Sequence, residues 1–297
     1  MIAKLLTIGL MCCFTNLYGQ TYEYLGLLKL ADSSLIPLRL DFKETNGMIK
    51  GYSYTDLNGQ HETKASIIGR YDDKEDLLEF REVDIIYTKS DIQQLDFCNV
   101  YFTGKMRRLN GRSKIDGTFK GYYDDLTSCI DGELVMTAAE KIQKRTEKFQ
   151  KRVNRMNRIP DSVKQKVQMD KMFNRYAKND LKGGERLNIF WKEAYLKLII
   201  WDDGEVDGDQ IDLTINGNKI LSAYSPVAQK KELELTLKDP VNTISLKAVS
   251  LGRKPPNTAK IQLMKKNGEI IDLASNLQVG EEVIFVFYKE KPSVKKP

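Results

Sequence analysis

Several features are scarce or absent in this chain of 297 residues, and each absence excludes a class of site. The only histidine is His61, so multi-histidine metal centres are excluded and a Ser-His-Asp triad has one candidate base. The sequence contains no Gly-x-Ser-x-Gly elbow, no phosphate-binding loop and no dinucleotide fingerprint. No apolar run exceeds about ten residues, whereas a membrane-spanning helix needs about 20. We therefore expect a folded, non-enzymatic protein, and we predict no catalytic residue.

The first nineteen residues have the pattern of a secretory signal. Lys4 supplies the positive charge, residues 5–14 form a short apolar stretch, and a more polar segment ends at the small residue Gly19. We expect cleavage before Gln20 and a protein that is secreted, periplasmic or in the outer cell envelope. A lipoprotein signal is the alternative, because Cys12 and Cys13 follow Leu10.

Two cysteines, Cys98 and Cys129, remain after the signal. A pair of cysteines in an exported chain predicts one disulfide, with two separately buried thiols as the alternative. Cys129 shares a strand face with Asp131 and Glu133, so we expect the bond near strand ends rather than between two mid-strand positions.

Residues 20–136 have the pattern of an all-β domain. Apolar residues alternate with polar ones, as in Ile36–Phe42. Five dipeptides favour hairpin turns or bulges: Asn46-Gly47, Asn58-Gly59, Asn110-Gly111, Asp116-Gly117 and Asp131-Gly132. Roughly eight strands fit this length, which predicts an eight-stranded antiparallel, barrel-like domain.

A helical linker is predicted over residues 137–184. The apolar side chains fall on two helical stripes separated by Pro160, and Gly183-Gly184 ends the stretch. The first stripe is Ile142, Phe149, Val153 and Met156; the second is Val163, Val167, Met172, Phe173 and Tyr176. Eight basic residues lie in the first half: Lys141, Lys144, Arg145, Lys148, Lys151, Arg152, Arg155 and Arg158. They predict either a solvated face or contact with an anionic envelope surface, and export argues against nucleic acid.

Residues 185–290 return to strand periodicity. Several segments alternate, whereas 196–201 and 283–288 are apolar at nearly every position, which is typical of central strands. This pattern predicts a C-terminal β-sandwich of about seven or eight strands. Residues 291–297 form a basic tail. The whole chain is therefore predicted to be mainly β.

An acidic loop at 202–212 is the sharpest local signal. Carboxylates and two glycines lie between two strands, and calcium prefers six to eight oxygen ligands. We predict no required cofactor, and calcium is the one cofactor that this loop suggests, with the candidate ligands Asp203, Glu205, Asp207 and Asp209. The loop is not an EF-hand, because Thr214 stands at the twelfth position. The favoured interpretation of the loop is an acidic turn whose carboxylates cap backbone amides, with calcium binding as the alternative.

A resemblance also rests on this region. Asp202-x-Gly204-x-x-Asp207-Gly208-Asp209, followed by strands around Asn216-Gly217 and 242–248, resembles a C-terminal domain of exported envelope proteins of Gram-negative bacteria. It is also similar to jelly-roll carbohydrate-binding modules. The N-terminal region is similar in outline to avidin- or lipocalin-type barrels. These resemblances imply export and ligand-presenting β folds, and they imply no catalytic residues.

The functional expectation is a non-enzymatic binding or envelope-scaffold protein, with a glycan or small molecule as its ligand. Trp191, Trp201, Tyr52 and Tyr54 are candidates for stacking on a sugar ring, or else core aromatics. A carboxylate-dependent hydrolase acting on polysaccharide is the alternative. An inhibitor or chaperone-like partner of another exported protein is the third candidate.

Overall fold

A computed structural model describes residues 20–91, 97–107, 114–160, 164, 180–202, 206–253 and 256–289. The protein is mainly β, as predicted. The first eight strands are β1 (Gln20–Leu30), β2 (Leu35–Thr45), β3 (Met48–Thr55), β4 (Thr63–Asp72), β5 (Leu77–Thr88), β6 (Asn99–Arg107), β7 (Lys114–Tyr122) and β8 (Ser128–Ala138). Helix α1 (Ala139–Arg155) follows. The later strands are β9 (Asp180–Lys182), β10 (Arg186–Phe190), β11 (Tyr195–Trp201), β12 (Asp209–Ile215), β13 (Asn218–Tyr224), β14 (Lys231–Thr236), β15 (Val241–Leu251), β16 (Asn257–Met264), β17 (Ile270–Leu277) and β18 (Glu282–Tyr288).

Strands β1–β8 form a closed antiparallel barrel, which confirms the prediction for the N-terminal domain. Neighbouring strands pair in sequence, β1 also pairs with β8, and β5 closes the ring with β6 from Leu77↔Lys105 to Arg81↔Tyr101. The Asn46-Gly47 turn between β2 and β3 has positive φ at both residues, 52° and 77°, as a type I′ hairpin requires.

Side chains fill the interior of the barrel. The alternating residues of the strands point inward and form one cluster of seventeen buried apolar residues, among them Tyr24, Phe42, Phe80 and Phe102. The rings of Phe80 and Phe102 are 5.0 Å apart and those of Tyr24 and Phe42 are 5.9 Å apart. An eight-stranded barrel is just wide enough for such packing, so this interior is a core.

Two of the predicted turn dipeptides are wrong. Asp116-Gly117 lies inside β7 and Asp131-Gly132 lies inside β8. The glycines serve packing there, because a Cβ on Gly117 would lie 2.5 Å from the Cα of Gly104 and 2.9 Å from the ring of Phe102. A glycine can thus leave room for an aromatic ring instead of marking a turn.

The predicted disulfide between Cys98 and Cys129 is confirmed. Their Cα atoms are 6.0 Å apart, and the cysteines lie just before β6 and near the start of β8. Gly121 on β7 lies against the bond, since a Cβ there would be 2.3 Å from the Sγ of Cys98. The bond spans 31 residues of sequence, which corresponds to about 3–4 kcal/mol of loop-closure entropy.

Strands β9–β18 form the predicted sandwich, with ten strands rather than seven or eight among the described residues. One layer has the order β13-β12-β15-β18-β10 and the other β14-β11-β16-β17-β9. The core between the layers contains Trp191, Phe285 and Phe287. β11 and β18 are central, as their two-sided apolar pattern predicts. β9 pairs with β17, although it lies in the range predicted as linker.

The barrel and the sandwich share one hydrogen-bonded sheet. The end of β5 pairs with β10 through Asn188↔Thr88 and Ile189↔Tyr87, so thirteen strands are continuous. Ile85, Ile86, Tyr87 and Thr88 are all buried because the sandwich covers this end of β5. The prediction of two separate β bodies missed this connection.

Helix α1 follows β8 directly and contacts β1 and β8. Ala139, Thr146 and Val153 are its buried residues, spaced seven apart as two helical turns require. None of the described helices is long and apolar enough to cross a membrane. The predicted second helical stripe lies outside the described residues, as do residues 1–19 and 291–297.

Candidate functional site

The side chains of α1 divide into sectors around the helix. At 3.6 residues per turn, seven cations occupy one arc of about 120°. They are Lys141, Lys144, Arg145, Lys148, Lys151, Arg152 and Arg155. The apolar stripe of Ile142, Phe149, Val153 and Met156 borders this arc on one side, and Glu140 and Glu147 lie on the other. We call the seven cations with Phe149 and Met156 the cationic face.

The cationic face is exposed and largely without ion pairs. Six of its seven cations are exposed, and Lys141 is half-buried. Lys144 pairs with Glu140, one turn away, and this contact lowers the pKa of Glu140 and raises that of Lys144. Within the described part of the chain, Lys148, Arg152 and Arg155 form no ion pair. Unpaired cations on one side of a helix create a field that attracts anions.

Exposed apolar side chains border the cations. Phe149 is 49% exposed and Met156 is 43% exposed, whereas Val153 on the same stripe is buried. The stripe therefore has a covered edge and an edge open to solvent, and the open edge lies next to the cations. Helices that lie in the interface of a membrane combine these two features.

The acidic loop is only partly described. Asp203 and Glu205, two of the predicted calcium ligands, lie outside the described residues. Asp207 and Asp209 are buried, together with Asp202, which the prediction did not include. Burial and the charges of Asp207 and Asp202 raise the pKa of Asp209. Within the described ranges, no group of three His, Cys, Asp or Glu side chains is arranged to hold a metal ion.

The four candidate sugar-stacking aromatics do not form one surface. Trp191 is buried in the sandwich core, where its Nε1 donates to the carbonyl oxygen of Tyr195. Trp201 is half-buried, with the Nζ of Lys230 4.5 Å from the centre of its ring. Tyr52 and Tyr54 lie on the outer face of the barrel.

Sequence reasoning missed Lys64, a buried lysine on that outer face. Its Nζ lies 4.2 Å from the ring centre of Tyr52 and 5.1 Å from that of Tyr54. Tyr52 also packs against the sandwich core, so the two β bodies enclose the lysine. Burial lowers the pKa of Lys64 to about 8, against the attraction of nearby carboxylates that include Asp41 and Asp272.

A cleft of about 660 Å³ opens at one end of the barrel, between the β2–β3 and β4–β5 turns. Its size is within the range of small-molecule sites. Two of the three carboxylates of its wall are engaged locally, because Glu44 accepts the N–H of Gly47 and Asp72 accepts that of Lys74; the third is Asp73. The rest of the wall includes Arg70, whose Nε binds Glu79. Most charged groups of the cleft wall are therefore already used in local contacts.

His61 is exposed, and its Nδ1 lies 3.2 Å from the Oγ of Ser90.

Comparisons with protein-family models, curated proteins and solved structures find no match to this chain. The resemblance to exported envelope proteins thus stays a prediction, and a functional conclusion rests on the geometry of the chain itself.

Proposed function

We propose that this protein is a non-enzymatic scaffold of the cell envelope that attaches to an anionic lipid surface through the cationic face of α1. The observation that carries the proposal is the grouping of seven cations in one arc of the helix, with the two acidic side chains at one border of that arc and Phe149 and Met156 exposed at the other. The proposal includes export, as the leader predicts.

Electrostatics supplies most of the expected affinity. A lysine or arginine near an anionic membrane contributes about 1 kcal/mol, and the interaction falls off within a Debye length. Several cations on one side of a helix can approach a flat surface together, whereas the same number scattered over a globule cannot. The contact is therefore expected to weaken steeply as salt is raised.

The apolar edge of the cationic face adds a contribution that salt does not screen. Phe149 and Met156 lie next to the cations, so both groups reach the boundary between headgroups and acyl chains at once. Burying these two half-exposed side chains contributes about 1–2 kcal/mol in total. This apolar contribution distinguishes a lipid surface from a purely ionic polymer.

The remainder of the fold suits a scaffold. The barrel interior is filled by its own side chains, and its sheet continues into the sandwich. These features support the role of a rigid body held at a surface, rather than that of a barrel with an internal ligand-binding cavity. The carboxylate-dependent hydrolase stays a prediction.

Sedimentation of the protein with lipid vesicles tests the proposal. We expect binding to phosphatidylglycerol-containing vesicles, release by salt, and weak binding to pure phosphatidylcholine vesicles. Replacing Lys148, Arg152 and Arg155 together by glutamine removes about 3 kcal/mol of attraction and should weaken binding about 100-fold. Phe149→Ser should weaken the binding that remains at high salt.

A matched control removes the same charge elsewhere. Lys43, Lys50 and Lys74 are exposed lysines of the barrel, and their combined replacement by glutamine should leave most of the binding intact. Equal losses in the two triple variants would show a response to net charge alone and would overturn the proposal. Equal binding to both kinds of vesicle would also overturn it.

A further inference from the structure

In the described part of the sandwich, Oδ1 of Asn188 on β10 and two further buried side-chain oxygens have no hydrogen-bond donor. The two further oxygens lie on neighbouring side chains. They are Oδ1 of Asp209, in a residue 3% exposed, and Oδ1 of Asn257, in a residue with no exposed surface. Buried polar atoms nearly always have a partner, because an unpartnered acceptor keeps the full cost of losing its water. Each oxygen therefore needs a hydrogen-bond donor or a cation.

The two side chains are neighbours in space. The other oxygen of Asp209, Oδ2, accepts the backbone N–H of Thr258 at 2.9 Å, and Thr258 directly follows Asn257. The amide nitrogen of Asn257 donates to the carbonyl oxygens of Gln210, at 3.0 Å, and Ser250, at 2.7 Å. Both side chains thus connect the layer containing β12 and β15 with the start of β16 in the other layer.

Further negative charge lies at the same end of the sandwich. Oδ1 of Asp207 accepts the backbone N–H of Asp209 at 3.3 Å, and Asp202 is also buried. Gly252 is adjacent, with φ of 58°, and a Cβ there would lie 2.4 Å from Oδ1 of Asp207. The glycine at position 252 therefore leaves room for the carboxylate of Asp207. The negative charge of Asp207 increases the free-energy cost of burying the charged carboxylate of Asp209.

We propose that a calcium ion binds at this end of the sandwich, with Oδ1 of Asp209 and Oδ1 of Asn257 among its ligands. A carboxylate and an amide oxygen are the hard donors that calcium prefers, whereas zinc and copper sites favour histidine or cysteine. The donor set mixes an acid with an amide, which agrees with the lack of a three-carboxylate group among the described residues. The ion would tie the two layers together, and the inference does not depend on the lipid contact.

Calcium titration of the chelator-treated protein tests the site, with the melting temperature and terbium luminescence as readouts. Trp201 directly precedes Asp202 and is suited to sensitise bound terbium. We expect calcium to raise the melting temperature and to displace terbium. Asp209→Asn keeps an acceptor for the N–H of Thr258, so it should fold, and it should lose at least tenfold in calcium affinity.

Asp212→Asn is the matched control, because Asp212 lies on the same strand and pairs with Lys219 at the surface. This variant should keep the calcium response. A folded protein without any calcium response would overturn the proposal, and so would an unchanged response in Asp209→Asn. If acid alone stabilises the wild type and not Asp209→Asn, a shared proton replaces the cation, and the proposal is also overturned.

Discussion

The Nζ of Lys89 lies 3.0 Å from Oε2 of Glu185, and this ion pair joins the barrel to the sandwich. Lys89 follows β5, whereas Glu185 precedes β10. The same Nζ is 3.9 Å from the buried carboxylate of Glu62, which also accepts the hydroxyl of Tyr87 at 2.9 Å. The Lys89 side chain is only 5% exposed. The buried ammonium group of Lys89 thus contacts two carboxylates, those of Glu62 and Glu185, beside the shared sheet.

Replacing Lys89 by methionine should destabilise the protein strongly. The variant leaves the carboxylates of Glu62 and Glu185 without the cation that both contact, and breaking a buried pair from one side costs about 3–5 kcal/mol. Chemical denaturation measures the loss in the free energy of unfolding. Lys29→Met is the control, since Lys29 pairs with Glu133 at the exposed surface, where such a pair contributes at most about 1 kcal/mol. Comparable losses in the free energy of unfolding in the two variants would contradict the assignment of Lys89 as a stabilising buried cation.

Lys64 should make stability depend on pH. Burial lowers its pKa from 10.5 to about 8, so between these values the unfolded chain holds a proton that the folded protein has released. Stability conferred by this group therefore rises with pH over that interval. The Lys64→Met variant lacks this dependence and is expected to exceed the wild type in stability at neutral pH. That advantage should shrink by about 3 kcal/mol across the interval, because one pKa unit corresponds to about 1.4 kcal/mol.

Denaturation of the wild type, Lys64→Met and Lys50→Met at several pH values measures the effect. Lys50 lies on the neighbouring strand and is exposed, so its removal should leave the pH profile parallel to that of the wild type. The charged and titratable neighbours of Lys64 are Arg39, Asp41, Tyr52, Tyr54, Glu269 and Asp272. They are present in every variant. A difference between the wild type and Lys64→Met that does not change with pH would refute the prediction.

Glu82 should tolerate glutamine and not alanine. Its buried carboxyl accepts the hydroxyl of Ser53 at 2.5 Å and the N–H of Val100 at 2.8 Å. Glutamine preserves both contacts, because its oxygen can accept from Val100 while its amide donates to the rotatable hydroxyl of Ser53. Alanine leaves the N–H of Val100 unpartnered, so Glu82→Ala should lose about 3 kcal/mol.

The pH dependence of Glu82 has a definite sign. Burial raises the pKa of Glu82, so the stability that it confers is complete below pH 4.5 and is lost as pH rises through the folded value. Glu82→Gln should equal or exceed the wild type in stability at neutral pH. Its stability should also depend less on pH than that of the wild type in the acidic range. Thermal unfolding across this range measures both effects, and a Gln variant as unstable as the Ala variant would count against them.

Local sequence patterns were sufficient for most of the fold. Alternation along Ile36–Phe42 and the Asn46-Gly47 turn involve residues that are neighbours in the chain, so strand and hairpin could be predicted. Gly117 and Gly132 misled the prediction, because their role is to accommodate aromatic rings from other strands. A glycine next to an aspartate has the same local signature in both situations.

The candidate sites were predictable to different extents. The cations and the apolar stripe of α1 follow helical spacing, so the cationic face was visible before the structure. Asp209 was predicted as a ligand, but Asn257, 48 positions later, carried no signal of its own. Lys64 occupies the polar side of an alternating strand, which predicts exposure, but it is buried where the sandwich packs against this face of the barrel.

The amino-acid sequence by itself determined which segments become strands or a helix, and which two cysteines can pair, because periodicity and turn chemistry act between near neighbours. Only the tertiary structure decided that β5 closes the barrel with β6 and continues into the sandwich through β10. It also decided which charged side chains are buried away from solvent, namely those of Lys64, Glu82 and Lys89. These outcomes depend on contacts between distant parts of the chain, and no local pattern contains them.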